Sequence, residues 1–286
     1  MKLNKQMNIL IVGLGLLGGS YARGLTEKGF KVSAINDKQQ AIDYALDKGI
    51  IEYGTVNVEE SLVGQADLVI FALYPHIFEE WIKNYQHLLK SGAVITDVTG
   101  VKGCIVDKIQ GMLRDDVEFI AAHPMAGRET LGVENSNTEM FEGANYIVVP
   151  TEKNTRDAIE LCIDLGRTLG FYQVSELSVK SHDEMIAFLS QLTHCIAVSL
   201  MCANNNPDLV YYTGDSFRDL TRIAKINDEM WSELFLDNKD ALLREMDSFK
   251  SSFDELYDTI KNNERDKMRE MMRLSTQRRK CFDKRR

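Results

Sequence analysis

The stretch "ILIVGLGLLGGS", residues 9–20, constrains the fold more than any other part of the chain. Ile9 to Val12 is an unbroken apolar run, and Gly13, Gly15 and Gly18 follow it in a G-x-G-x-x-G spacing. In a strand–turn–helix context each glycine has a physical task. Gly13 permits the tight turn, Gly15 lets the backbone approach a pyrophosphate, and Gly18 lets helix and strand pack closely. The helix N-terminus then offers unpaired amides to the phosphates. Leu16 and Leu17, between the glycines, belong to the same cofactor-binding set.

The sequence that follows alternates strand-like and helix-like segments. "KVSAIND", "ADLVIFALY", "AVITDVT" and "EFIAAH" read as strands, separated by "KQQAIDYALDKG", "HIFEEWIKNYQHLL" and "GCIVDKIQGML" as helices. That rhythm predicts a parallel sheet covered on both faces. "ANYIVVPT" and "YQVSEL", on either side of the helix "TRDAIELCIDLGRTLG", are expected to extend the same sheet. Ala72 and Leu73, where the "ADLVIFALY" strand ends, fall at the cofactor edge. An acid at the end of the second strand should hold the ribose hydroxyls. Here "AIND" offers Asn36 and then Asp37. Asp37 suits NAD because its charge repels a 2′-phosphate; Asn36 in the key place, with Lys38 beside it, keeps NADP open as the alternative.

Beyond about residue 176 the periodicity becomes almost wholly helical. The S-x-x-E pair Ser181 and Glu184 reads as a capping box that starts a helix through "HDEMIAFLSQLTHCIAVSLMCA". The expected architecture is an α/β Rossmann-like dinucleotide-binding domain, residues 1–176, followed by an all-α dimerisation domain, residues 177–286. The apolar faces of the second region exceed what one small domain would bury, which points to a homodimer.

The 34 basic and 43 acidic residues leave a net charge of −9, which argues against a nucleic-acid or anionic-membrane partner. No uninterrupted apolar run reaches a membrane-spanning length, and the N-terminal apolar run is a strand entering a turn, not a leader. The five cysteines are scattered, without CxxC spacing, as in a reducing cytoplasm. His182 and His194 do not form a metal site. Twelve residues of helix separate them by about 18 Å and leave them about 120° out of alignment.

With "GLGLLGGS", "HPMAGRE", "SHDEMIAFLSQLTH" and "FRDLTRIA" in view, the chain resembles the prephenate dehydrogenase family, which includes arogenate and cyclohexadienyl dehydrogenases. The resemblance implies oxidative decarboxylation of prephenate to 4-hydroxyphenylpyruvate with hydride transfer to NAD, in tyrosine biosynthesis. It also implies the site. His123, ending a strand at the ligand edge, is the base at the ring hydroxyl. Arg222 grips a substrate carboxylate, Ser190 and His194 line the pocket, and Glu129 stands near its entrance. His182 matches a family position whose role is less clear, and the Trp231 region is implied to reach the partner's site. Where relatives carry a serine that orients the histidine, this chain has Gly100 in "DVTGVKG"; Thr99 is the candidate to replace its hydroxyl.

A dehydrogenase acting on β-hydroxyacids is disfavoured, because those use a lysine base in the helical domain and the first long helix has none. A cofactor-sensing dimer without activity is disfavoured by His123, Ser190 and Arg222 occurring together. The chain shows no segment for a separate regulatory domain or a fused mutase, so tyrosine control through such a domain is not expected.

Overall fold

The computed structural model describes residues 2–127 and 130–283. They form two compact units, Met1–Asn238 and Lys239–Arg286.

In the first unit, β1 (Asn8–Val12) leads through the glycine turn into α1 (Leu16–Glu27), followed by β2 (Lys31–Ile35), α2 (Gln39–Asp47), β3 (Tyr53–Thr55), α3 (Glu60–Val63), β4 (Leu68–Phe71), α4 (Pro75–Tyr85), β5 (Val94–Asp97), α5 (Val106–Met112) and β6 (Glu118–Phe119). The six strands make an all-parallel sheet in the order β3-β2-β1-β4-β5-β6, the arrangement of a doubly wound dinucleotide-binding domain. From Ile9 to Val12 β1 is apolar and buried because it is central and covered on both sides. Ile9 and Ile11 join one core with Leu68 and Ile70, while Leu10 and Val12 join the other with Val69 and Phe71. β3 and α3 are too short to carry a periodic signal, and the sequence reading made no assignment there.

The "EFIAAH" segment is not one simple strand. β6 pairs with β5, Ile120 N–H still reaches the Ile95 carbonyl at 3.0 Å, and then β7 (Ala121–Pro124) turns to another partner. β7 pairs antiparallel with β8 (Asn145–Val149), which pairs parallel with β9 (Gln173–Glu176). The expectation that "ANYIVVPT" and "YQVSEL" extend the main sheet is therefore corrected: they build a separate three-stranded sheet, joined to the first through Ile120. Between β8 and β9 runs α6 (Arg156–Leu169), capped by the Thr155 hydroxyl and closed by Gly170 at φ 90°.

Ser178, not Ser181, caps the next helix, its hydroxyl accepting from Ser181 N–H at 3.2 Å. The capping box is thus misplaced by three residues. That helix runs as α7 (Val179–Ile186), a π-helical turn (Ala187–Leu192) and α8 (Thr193–Cys202). Within Val179–Cys202 an 18-residue stretch has mean hydropathy 1.7, so by length and composition this helix is long and apolar enough to cross a membrane. The search for an uninterrupted apolar run missed this, because Ser190, Gln191, Thr193 and His194 break the run without adding charge. A loop and α9 (Asp215–Thr221) lead to α10 (Asp228–Asp237), which completes the unit. The second unit is the pair α11 (Lys239–Lys261) and α12 (Arg265–Arg279).

Candidate functional site

The glycine turn has the shape a pyrophosphate needs. Gly13 adopts φ 98°, and a Cβ there would lie 2.5 Å from the Ala72 carbonyl; at Gly18 it would lie 1.9 Å from the Gly13 carbonyl. Both positions therefore exclude a side chain. A Cβ on Gly15 would meet no protein atom within 4 Å, so the space above that glycine is open. Gly15 is also the N-cap of α1, and no side chain caps the helix, so its first amides remain for an anion. These features fit a dinucleotide. Ala72 and Leu73 abut Gly13 from the end of β4. Leu16 is buried and Leu17 packs against the core. Asn36 braces the turn: its Oδ1 accepts the Leu14 N–H at 2.8 Å. Asp37 follows, exposed at the same edge.

His123 is the third residue of β7, at the edge of the sheet where β7 leaves β5. Its Nδ1 lies 2.9 Å from His182 Nε2, and His182 Nδ1 lies 2.7 Å from Asp183 Oδ1. Asp183 also accepts the Lys102 N–H at 2.9 Å and the Gly103 N–H at 2.7 Å. Burial pushes the Asp183 carboxyl up, but His182 and these amides outweigh it and hold it below its ordinary range. Burial, aided by His182 and Lys102, holds His123 well below its usual pKa. Burial also lowers His182, against the opposing pull of Asp183.

A carboxylate only accepts, so His182 Nδ1 carries a proton. The neutral ring then accepts at Nε2, and His123 Nδ1 donates to it. His123 Nε2 is left with its lone pair outward, and among the described residues it makes no hydrogen bond. A Cβ on Gly100 would lie 3.9 Å from that nitrogen and 3.5 Å from Leu234.

Thr99 is not brought to His123. Its one hydroxyl proton goes to Asp97, with the Val101 carbonyl 3.2 Å away, and its oxygen accepts from Lys102. The orienting contact on the histidine comes instead from His182, on the nitrogen remote from Gly100.

The helical region carries the other expected groups. Ser190 lies in the π turn, and its carbonyl accepts from His194 Nδ1 at 2.8 Å. A π turn widens the helix and is frequent at functional sites. His194 stacks on Trp231 of its own chain, ring centroids 3.8 Å apart; the described contact of that tryptophan is thus within one chain. Arg222 opens the short turn Arg222–Ala224 after α9 and is exposed. Glu129 lies outside the described residues.

Two family models match the chain: "Prephenate dehydrogenase, nucleotide-binding domain" over residues 21–171 and "Prephenate dehydrogenase, dimerization domain" over residues 178–274. The chain belongs to the prephenate dehydrogenase family. It is 30% identical to the prephenate dehydrogenase of Bacillus subtilis, covering 87% of this chain and 68% of that one. To the cyclohexadienyl dehydrogenase of Zymomonas mobilis it is 27% identical, covering 94% and 93%. The crystal structure of A. aeolicus prephenate dehydrogenase in complex with hydroxyphenyl propionate and NAD+ superposes with TM-score 0.90 at 30% identity, covering 99% of this chain and all of that one.

The segment "FRDLTRIA" carries a second arginine, Arg218, four residues before Arg222. Arg218 pairs with Asp215 at 2.5 Å and with the Thr213 carbonyl at 2.8 Å. His76, at the start of α4, binds Glu233 of α10 through Nδ1 at 2.9 Å. The residues that sequence reading missed are Asp183, Asp97 and Lys102. Their signals were present: an acid ending the apolar run "AVITD", a lysine in the turn after it, and a His-Asp pair at a helix start.

Proposed function

We propose that the chain is an NAD-dependent prephenate dehydrogenase that converts prephenate to 4-hydroxyphenylpyruvate and carbon dioxide in tyrosine biosynthesis. The observation that carries this reading is the Asp183–His182–His123 chain, which leaves His123 Nε2 as an unprotonated acceptor. When bound, NAD supplies the hydride acceptor. His123 Nε2 draws the ring-hydroxyl proton as the neighbouring C–H bond breaks. The ring carboxylate departs as carbon dioxide, the ring aromatises, and the proton returns to the phenol oxygen. Both imidazoles are neutral at pH 7, so the base is ready without prior deprotonation.

In this reading Arg222 holds a substrate carboxylate through its planar fork. Ser190 and His194 hold the side chain. Asn36 and Asp37 face the ribose, and Ala72 and Leu73 back the turn. We place the domain boundary at residue 176, supported by β9 ending at Glu176 and the Ser178 cap beyond it. A homodimer through the helical domain, working in the cytoplasm, completes the proposal.

One observation favours a second reading, with arogenate as substrate. The cyclohexadienyl dehydrogenase of Zymomonas mobilis, which the chain matches over nearly its whole length, supports it. NADH or NADPH formation from prephenate and from arogenate, each with NAD and NADP, separates the cases. Turnover with prephenate and NAD is expected, and no turnover with any of the four pairs would sink the assignment.

A further inference from the structure

Beneath the base lies an ion pair that takes no part in the chemistry described above. Lys102 and Asp97 are both fully buried, with Nζ 2.6 Å from Asp97 Oδ2. The ammonium has three protons and meets three acceptors: Asp97, the Thr99 hydroxyl at 3.1 Å and the Ala122 carbonyl at 2.6 Å. Asp97 Oδ1 accepts the Ala122 N–H at 3.0 Å. Both backbone groups of the residue before His123 are thus bound by the side chains of one ion pair. This occurs where β7 leaves β5, so the pair supplies the two rungs that the sheet no longer offers.

Lys102 also acts through its backbone. Its N–H and that of Gly103 bind the two oxygens of Asp183, the anchor of the His182–His123 chain. One residue therefore touches β5 through Asp97, β7 through Ala122 and α7 through Asp183. A buried ion pair adds little net stability over apolar residues of the same volume. Its use here lies in geometry: two strand ends and a helix start are fixed to a single point.

We propose that Lys102 is a positioning residue for the reaction, holding His123 and its His182–Asp183 support in register through the Asp97 pair and through its own amide. The proposal rests on the activity proposed above. Among the described residues, the charged and titratable groups that bear on His123 are His182 and Lys102, with Asp183 and Asp97 acting on His182.

The test is the double variant Asp97→Asn/Lys102→Met, which leaves no lone buried charge. Imidazole nitrogen NMR of the cofactor-free protein reads the tautomer and titration of His123, and a steady-state assay reads kcat and KM. The expected outcome is a folded protein with unchanged NAD affinity and kcat lower by about 100-fold, the scale of a 1 Å misplacement. His123 should also lose its fixed Nδ1–H tautomer and titrate at higher pH than in the wild type, because a nearby cation is gone. Wild-type kcat, or a lower kcat with wild-type tautomer and titration, overturns the proposal, since the latter is what a purely structural role gives. If the double variant does not fold, Thr99→Val removes one acceptor of the ammonium and no charge. It should lower kcat by less and loosen the fixed Nδ1–H tautomer, with the cation and its effect on titration kept, and wild-type kcat and tautomer there overturn the proposal. Absence of turnover in the wild type itself is a failure of the activity reading, and the NMR readout then decides this one alone.

Discussion

His123 and His182 form one hydrogen-bonded pair, Nδ1 to Nε2 at 2.9 Å, and the Asp183 carboxylate on the far ring fixes the direction of the proton between them. Both nitrogens of His182 and Nδ1 of His123 are committed within the chain, so among the described residues its one open lone pair emerges at His123 Nε2.

If His182 supports the base and does not touch substrate, His182→Leu should lower kcat roughly 10- to 100-fold, the usual cost of losing an outer partner. KM for the substrate and the affinity for NAD should hold. Steady-state kinetics with NAD binding by fluorescence checks this, and an equal loss in KM would assign His182 to substrate binding.

The pH dependence follows from the lowered histidines. His123 acts as a base in its neutral form, and its pKa lies well below the ordinary 6.5. The acid limb of kcat/KM should therefore fall below pH 6.5, with activity kept as pH drops through that value. Stability has the same sign. The unfolded histidines take up protons near their ordinary pKa while the folded ones stay neutral. The folded state should thus lose stability progressively as pH falls from about 6.5 toward the folded values. Denaturant titrations at several pH values check this; stability rising on acidification through that window would contradict the assigned neutral pair.

The glycine turn separates folding from binding. Gly15→Ala adds a methyl where no protein atom lies within 4 Å, so thermal stability should stay near wild type. NAD affinity should fall about tenfold or more, ~1.4 kcal/mol. Gly18→Ala drives a Cβ into the Gly13 carbonyl and should destabilise the fold by about 1–3 kcal/mol. Calorimetry and NAD titration on the two variants should therefore give opposite patterns.

The two arginines should also part. Arg222→Ala should raise KM for the substrate roughly 10- to 100-fold with a smaller effect on kcat, as expected for lost charged hydrogen bonds in the ground state. Arg218→Ala breaks an exposed pair with Asp215 and should change neither constant by more than a small factor. Equal effects would mean that both arginines bind substrate.

The main sheet was legible because its signals are local: an apolar strand, a glycine spacing, a helix of period 3.6. His123 was legible for the same reason, as a polar residue ending an apolar strand. Its partners were not. Asp97, Lys102 and His182 lie 26, 21 and 59 positions away, and only tertiary packing brings them together. The second sheet was missed because a β7 leaving β5 at Ile120 reads, residue by residue, like a strand that continues. Thr99 was a reasonable guess by adjacency, but its hydroxyl is drawn to the nearer charges of Asp97 and Lys102.

The most direct test of the account is the rate of NADH formation from prephenate by the wild type and by His123→Asn, with NAD binding measured on both. The account predicts ready turnover by the wild type. It predicts a kcat lower by about 100-fold or more in the variant, the range of general-base catalysis, at unchanged NAD affinity. Full activity in His123→Asn would contradict it.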